Sequence, residues 1–445
     1  MTRREKMRAR PPVELRIDRL SHEGRGISQV DGKLIFVEGA LPGETVRATY
    51  YATHKKYDEA RTQDVLSASP DRVIPPCQHF SICGGCSLQH LARPAQIAFK
   101  QSVLAEQFRH FGGIEPDEWL PPLVDEETAY RRKARLGVKF VIKKDELLVG
   151  FREKQSNFLA DIRQCEVLDR RIGHELVALR ALVNGLEMRD RIPQIEVAAG
   201  DDDLALVFRH MDPLPDSDAA ALVAFCSARG WHLYLQPGGN DTVHRVWPSA
   251  AEAEADRLHY ALPDFGLTLG FHPMDFTQVN AGINRRMLNL ALELLDPQPE
   301  DRVLDLFCGL GNFTLPLATK AREVVGVEGV QTMADRGLEN ARRNGLGNVS
   351  FYAQDLTADF SQQPWAKQGF ERLLIDPPRS GAQEVVQYLA KFRAKRVVYV
   401  SCNPATLARD AGLMKEAGYR LSKAGVMDMF THTTHVESIA VFDKR

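Results

Sequence analysis

Cys402 closes the apolar run Val397-Val398-Tyr399-Val400-Ser401 and precedes Asn403-Pro404 and a helix-patterned stretch over 405–417. A thiol is thereby placed where a strand ends and a helix begins. Proline suits the first helical turn, and the unpaired N–H groups there favour an anionic sulfur, so the sequence predicts a thiolate that forms more readily than in a free cysteine. Cys402 is the candidate nucleophile. Glu437 follows a turn expected at 430–434, and its neighbours Val436, Ile439 and Val441 alternate as in a strand. Such a strand returns a carboxylate to the edge that carries Cys402, which makes Glu437 the candidate base.

A second set of thiols has different spacing. Cys77 and Cys83-Gly84-Gly85-Cys86 lie close together, and Cys165 is the distant fourth. Four thiolates can hold tetrahedral zinc, whose usual pattern is two close pairs; three close cysteines and one remote suit an iron–sulfur cluster better. The seven cysteines, without a secretion signal, argue for metal binding or catalysis rather than disulfides. Cys226 and Cys308 are expected to pack as small apolar residues.

The elements that position Cys402 lie downstream of residue 300. Strand patterns at 302–307, 323–327, 349–353, 372–375 and 396–400 alternate with helical segments. This predicts an α/β, doubly wound sheet that binds its ligand at the carboxyl ends of the strands. Asp305-Leu306-Phe307-Cys308-Gly309-Leu310-Gly311-Asn312 forms a glycine turn after the first strand, and Glu328 follows the second. A carboxylate there can accept from ribose hydroxyls. Thr314 stands where a dinucleotide fingerprint would have glycine or alanine, which disfavours NAD and favours an adenosyl group without pyrophosphate. Asp355 and Asp376-Pro377-Pro378-Arg379 continue the acidic series at the same edge.

The glycine turn with Glu328, Asp355 and Asp376-Pro377-Pro378 resembles the class I S-adenosylmethionine-dependent methyltransferases. Ser401-Cys402-Asn403-Pro404 and His435-Val436-Glu437-Ser438 narrow the resemblance to the RNA uracil-5-methyltransferases over 266–445. It implies S-adenosyl-L-methionine as methyl donor, held by Gln278, Phe307, Asn312, Glu328, Asp355 and Asp376. It also implies that Cys402 adds to C6 of a uracil flipped out of its stack and that Glu437 removes the C5 proton.

Upstream, strand patterns at 13–17, 33–37, 45–51 and 61–66, separated by glycine turns, predict an OB-like β-barrel over 11–70. Tyr50, Tyr51, His54, Lys55, Lys56 and Tyr57 are a mixture suited to phosphates and bases. A central α+β region is expected over 75–265, carrying the cysteine-ligated centre. Its strands are read at 135–142 and 147–151, a helix at 171–186 and a loop at 237–254. Barrel and cysteine set together resemble the branch with a TRAM domain and a 4Fe–4S cluster, which implies 23S rRNA as substrate. Transfer RNA or two ribosomal sites are the alternatives within the family, and an RNA-binding iron–sulfur sensor is the alternative outside it.

Net charge is -2, so contact with RNA must use local patches. Tyr130-Arg131-Arg132-Lys133-Ala134-Arg135 is the densest internal one, and Arg3, Arg4, Lys6, Arg8 and Arg10 form a basic start. No run of about 18 apolar residues occurs and no apolar signal core follows the basic start, which predicts a cytoplasmic protein without a membrane span; moderate charge and a single catalytic domain make a monomer the expectation.

Overall fold

The computed structural model describes residues 11–249 and 257–445, so the basic start at Arg3, Arg4, Lys6, Arg8 and Arg10 lies outside the described residues. The described residues form two compact units, where the sequence suggested three regions: one of residues 11–81, 85–103 and 432–434, the other of 82–84, 104–249, 257–431 and 435–445.

The first unit carries a six-stranded sheet in the order Val13–Arg16, Thr45–Thr53, Tyr57–Ser67, Lys33–Glu38, Gly26–Val30 and Arg19–Leu20. Alternation turns Leu15, Ile35, Val37, Val46, Ala48 and Ala60 into one apolar core. Register shifts between the two longest strands bend the sheet. Two of these strands, Arg19–Leu20 and Gly26–Val30, do not appear in the sequence pattern, because Gly24, Arg25 and Gly26 read as a turn alone.

In the second unit a six-stranded sheet has the order His244–Trp247, His232–Gln236, Leu204–Arg209, Gln194–Ala199, Lys133–Val141 and Glu146–Gly150. The strand His244–Trp247 corrects the loop expected over 237–254; pairing with His232–Gln236 holds four residues that a Gly- and Asn-rich flank disguised. Residues 250–254 of that loop lie outside the described residues. The helix expected at 171–186 is two helices, Arg170–Gly173 and Leu176–Asn184, the first capped by Asp169.

The eight-stranded sheet has the order Val349–Ala353, Glu323–Glu328, Arg302–Leu306, Arg372–Ile375, Arg396–Ser401, Glu437–Lys444, Tyr419–Met427 and Glu118–Trp119. The first five strands are parallel, and Glu437–Lys444 runs antiparallel between Arg396–Ser401 and Tyr419–Met427. Strand order reverses between Arg302–Leu306 and Arg372–Ile375, the switch point where such sheets open a crevice. The hairpin Leu258–Leu262 with Leu267–Phe271 straddles the boundary expected at 265, since Leu258, Leu262, Leu267, Leu269 and Phe271 pack into the same core as Met287, Leu288, Val303 and Val398. Ala205, Val207 and Tyr234 of the six-stranded sheet join that core too, so residues expected in separate domains bury one continuous apolar interior.

Candidate active site

The strand Arg302–Leu306 is buried and ends at the turn over 307–312, in which Phe307, Gly309 and Gly311 all take positive φ. A side chain on Gly311 would be strained by its φ of 95° and would meet Leu315 at 2.4 Å. Phe307 and Cys308 donate their N–H groups to Val327 O. The Glu328 carboxylate accepts from Gly309 N and Val330 N, both at 3.0 Å, which fixes it beside the turn.

Asn312 sits at the end of the turn in a reciprocal amide pair with Asn284, at 3.0 and 2.8 Å, and accepts from Tyr260 Oη at 3.0 Å. Gln278 lines a recess with Arg132, Ala199, Tyr260, Thr277 and Asn284. Phe276, two residues earlier, is 68% exposed. Asp355 is exposed and caps its own turn, accepting from Thr357 N and Oγ1; these bonds hold its carboxyl below the ordinary range.

Asp305 is a site residue to which the sequence reading assigned no role. It is fully buried, with Oδ2 accepting from Thr314 Oγ1 at 2.6 Å and Oδ1 without a hydrogen-bond partner. Burial, aided by Asp376 and Glu328 and opposed by the Thr314 bond, pushes its carboxyl up to about 8. Burial likewise raises Asp376 to about 7. Three carboxyl groups around one glycine turn are a setting that a cation would relieve.

This predicts a pH dependence. Folded Asp305 keeps its proton to about 8, whereas the unfolded chain releases it near the ordinary carboxylate value. Between those limits the folded state binds more protons, so stability falls as pH rises through the window and the loss is complete above the folded value. Asp305→Asn, free of ligand, is expected to flatten the fall of Tm between about pH 5 and about pH 8. A slope equal to the parent's would assign the dependence to other groups.

Cys402 and Glu437 come together because Arg396–Ser401 pairs with Glu437–Lys444, with Ser401 opposite Ser438. Ser438 Oγ donates to Ser401 O, and Glu437 itself is buried. Asn403 caps the helix Pro404–Glu416 through Ala405 N, and its amide donates to Arg379 O at 2.9 Å, which brings the 376–379 segment against the Cys402 turn. The expectation of a readily formed thiolate is overturned. Burial first, then the Glu437 and Asp376 carboxylates, raise the Cys402 thiol above its ordinary value, and Arg379 only partly opposes them. The helix terminus was visible in the sequence, whereas the carboxylates arrive from other strands.

The basic patch is likewise different from its sequence reading. Arg132 and Arg285 pair with Asp201, Arg135 with Glu196 at 2.7 Å, and Lys133 donates to Asp275 O. Burial lowers Lys133 to about 8. Arg132 and Lys133 are engaged within the unit, while the Arg135 side chain stays largely exposed. In the first unit His54 stacks on Tyr57 at 4.3 Å, Tyr57 meets Phe36 edge-on, and Lys55 and Lys56 are exposed.

Cys226 and Cys308 are buried, and burial pushes the Cys226 thiol up to about 12. Cys77 and Cys86 belong to the first unit, Cys83 and Cys165 to the second. Among the described residues no group of three or more His, Cys, Asp or Glu side chains is gathered as a metal site. Gly84 lies against the 152–153 backbone, donating to Arg152 O at 2.8 Å, and a Cβ there would come within 3.1 Å of that oxygen.

Comparison with known proteins gives two family matches: tRNA (Uracil-5-)-methyltransferase over residues 94–445, and TRAM domain over 12–61. The chain is 57% identical over 444 residues to a protein of Alcanivorax borkumensis named 23S rRNA (uracil(1939)-C(5))-methyltransferase RlmD, covering 100% of this chain and 99% of that one. A protein of Hahella chejuensis with the same name is 54% identical, with 100% of both chains covered. Among solved structures, the tRNA (uracil-54, C5)-methyltransferase of Pyrococcus abyssi in complex with S-adenosyl-L-homocysteine shares the fold, with a TM-score of 0.73 at 24% identity over 97% of this chain and 100% of that one.

Proposed function

The chain belongs to the tRNA (uracil-5-)-methyltransferase family, and from that membership we propose that it methylates C5 of a uridine in 23S ribosomal RNA. It is an S-adenosylmethionine-dependent RNA (uracil-5-)-methyltransferase. The substrate reading is supported by relatives at 57% and 54% identity whose names specify 23S rRNA. The pairing that sets Cys402 beside Glu437 carries the chemical reading.

The glycine turn, the acidic Glu328 and the unpartnered Asp305 oxygen fit an adenosyl donor bearing positive charge. When bound, S-adenosylmethionine supplies an electrophilic methyl group. Gln278, Phe307, Asn312, Glu328, Asp355 and Asp376 would hold it, with Glu328 offering ribose hydroxyls the lone pairs left by Gly309 and Val330. Uracil C5 is a poor nucleophile. Cys402 loses its proton and its sulfur bonds to C6, which leaves an enolate with electron density at C5. Once C5 carries the methyl group, Glu437 takes the remaining C5 proton, the C6–S bond breaks and the thiolate leaves. Burial and the neighbouring carboxylates raise the thiol, so its deprotonation costs more than in a free cysteine.

The His54–Tyr57 stack with Lys55 and Lys56 suits single-stranded RNA, the bases on the rings and the phosphates on the ammonium groups. Cys77, Cys83, Cys86 and Cys165 fit a 4Fe–4S cluster by donor chemistry: four cysteine sulfurs are its usual ligand set, and Gly84 allows the close backbone approach beside Cys83. We place the protein in the cytoplasm as a monomer; among the described residues no helix is long and apolar enough to cross a membrane.

Incubating anaerobically prepared protein with labelled S-adenosylmethionine and unmodified 23S rRNA, 16S rRNA or transfer RNA tests the reading. Labelled 5-methyluridine in 23S rRNA alone is the expected result. Label in transfer RNA would reassign the substrate, and none in any RNA would remove the assignment.

A further inference from the structure

Asp410 is fully buried on the helix Pro404–Glu416, about two turns past Cys402, at a distance from the reacting atoms that leaves it no direct chemistry. Its carboxylate nevertheless gathers donors from three elements. Tyr399 Oη, on the strand that ends at Cys402, donates at 2.7 Å. Ala382 N, on the segment that follows Asp376, donates at 2.7 Å, and Arg409 Nε donates at 2.8 Å. Arg409 also donates to Ser380 O at 2.9 Å, while Asn403 Nδ2 and Thr406 Oγ1 hold Arg379 O from the other side at 2.9 and 3.3 Å.

Each of residues 379, 380 and 382 is thus bound to one helix, and the buried carboxylate anchors Ala382 directly and Ser380 through Arg409. We propose that Asp410 is a positioning residue for methyl transfer, locking the 379–382 segment onto the Cys402 helix so that Arg379 stays beside the thiol. The groups acting on Cys402 are Glu437 from the antiparallel strand, Asp376 from the parallel strand and Arg379 from the locked segment. Two of these are anionic, and Arg379 is the cation that opposes them. Without Asp410, Ala382 N and Arg409 lose a buried acceptor, the segment keeps only its Asn403 and Thr406 bonds at Arg379 O, and the counter-charge to the thiolate is no longer held in place. The inference rests on Cys402 as nucleophile.

The test reads the thiol directly: the rate of Cys402 alkylation by iodoacetamide against pH, followed on the Cys402 peptide by mass spectrometry in the full chain. Asp410→Asn is expected to raise the midpoint by about one pH unit, as Arg379→Ala does, so that alkylation below the midpoint slows by about tenfold. The double variant should shift no further than either single one, because both remove the same counter-charge. Tyr399→Phe, which removes one donor and leaves the carboxylate, should give a smaller shift of the same sign and serves if Asp410→Asn does not fold. A parent midpoint in Asp410→Asn with parent circular dichroism, a parent midpoint in Tyr399→Phe, or additive shifts in the double variant would each overturn the proposal. Alkylation requires no methyl transfer, so a wrong RNA substrate would leave this result standing.

Discussion

Replacing Cys402 with alanine is expected to reduce 5-methyluridine formation by about 10⁴-fold or more, to the limit of detection, while leaving S-adenosylmethionine affinity near the parent's. The size follows from what the thiol does: without a bond at C6 there is no enolate, and uracil C5 has no other source of electron density in the site. Cofactor affinity persists because the 307–312 turn is held by Val327 and Glu328 rather than by Cys402. Equilibrium dialysis with labelled cofactor and a methyl-transfer assay check both halves. Residual turnover within tenfold of the parent would exclude Cys402 as the nucleophile.

Glu437→Gln is expected to fail at a later point and to leave a different trace. Attack and methylation go forward, but the C5 proton has no acceptor, so a covalent protein–RNA adduct should accumulate in a single turnover while kcat falls by about 10²- to 10⁴-fold. The same change removes one of the carboxylates that raise the Cys402 thiol, so the alkylation midpoint of Cys402 should move down. The two readouts separate a base from a buried strand carboxylate. Denaturing gels of labelled RNA show the adduct; its absence at parent kcat would reject Glu437 as the base.

Local pattern made much of the cofactor side legible. The strand at 349–353 and that at 372–375 lie where the alternation put them, and the acidic residues at the carboxyl edge follow from that register. Cys402 was readable because an apolar run, an N-cap asparagine and a proline mark one strand-to-helix junction. What escaped the sequence depends on residues far apart along the chain. The thiol's charge environment needs Asp376 and Glu437, and the arginines of 131–135 look free until Asp201 and Glu196 are folded against them. Asp305 reads as one residue of an apolar strand, and only burial of its unpartnered oxygen marks it out. The hairpin across residue 265 is local, but the core that claims it is assembled from segments over a hundred residues apart.

The place of Glu437–Lys444 in the sheet has a consequence for synthesis. This strand inserts between Arg396–Ser401 and Tyr419–Met427, both of which leave the ribosome before it. Until it arrives, the newly made chain carries two apolar strands with unsatisfied edges facing each other's future partner, the situation that invites aggregation or mispairing. Nucleophile and base are therefore completed in one late event. A nascent chain that stalls before this strand exposes the cysteine without the carboxylate that turns its adduct over.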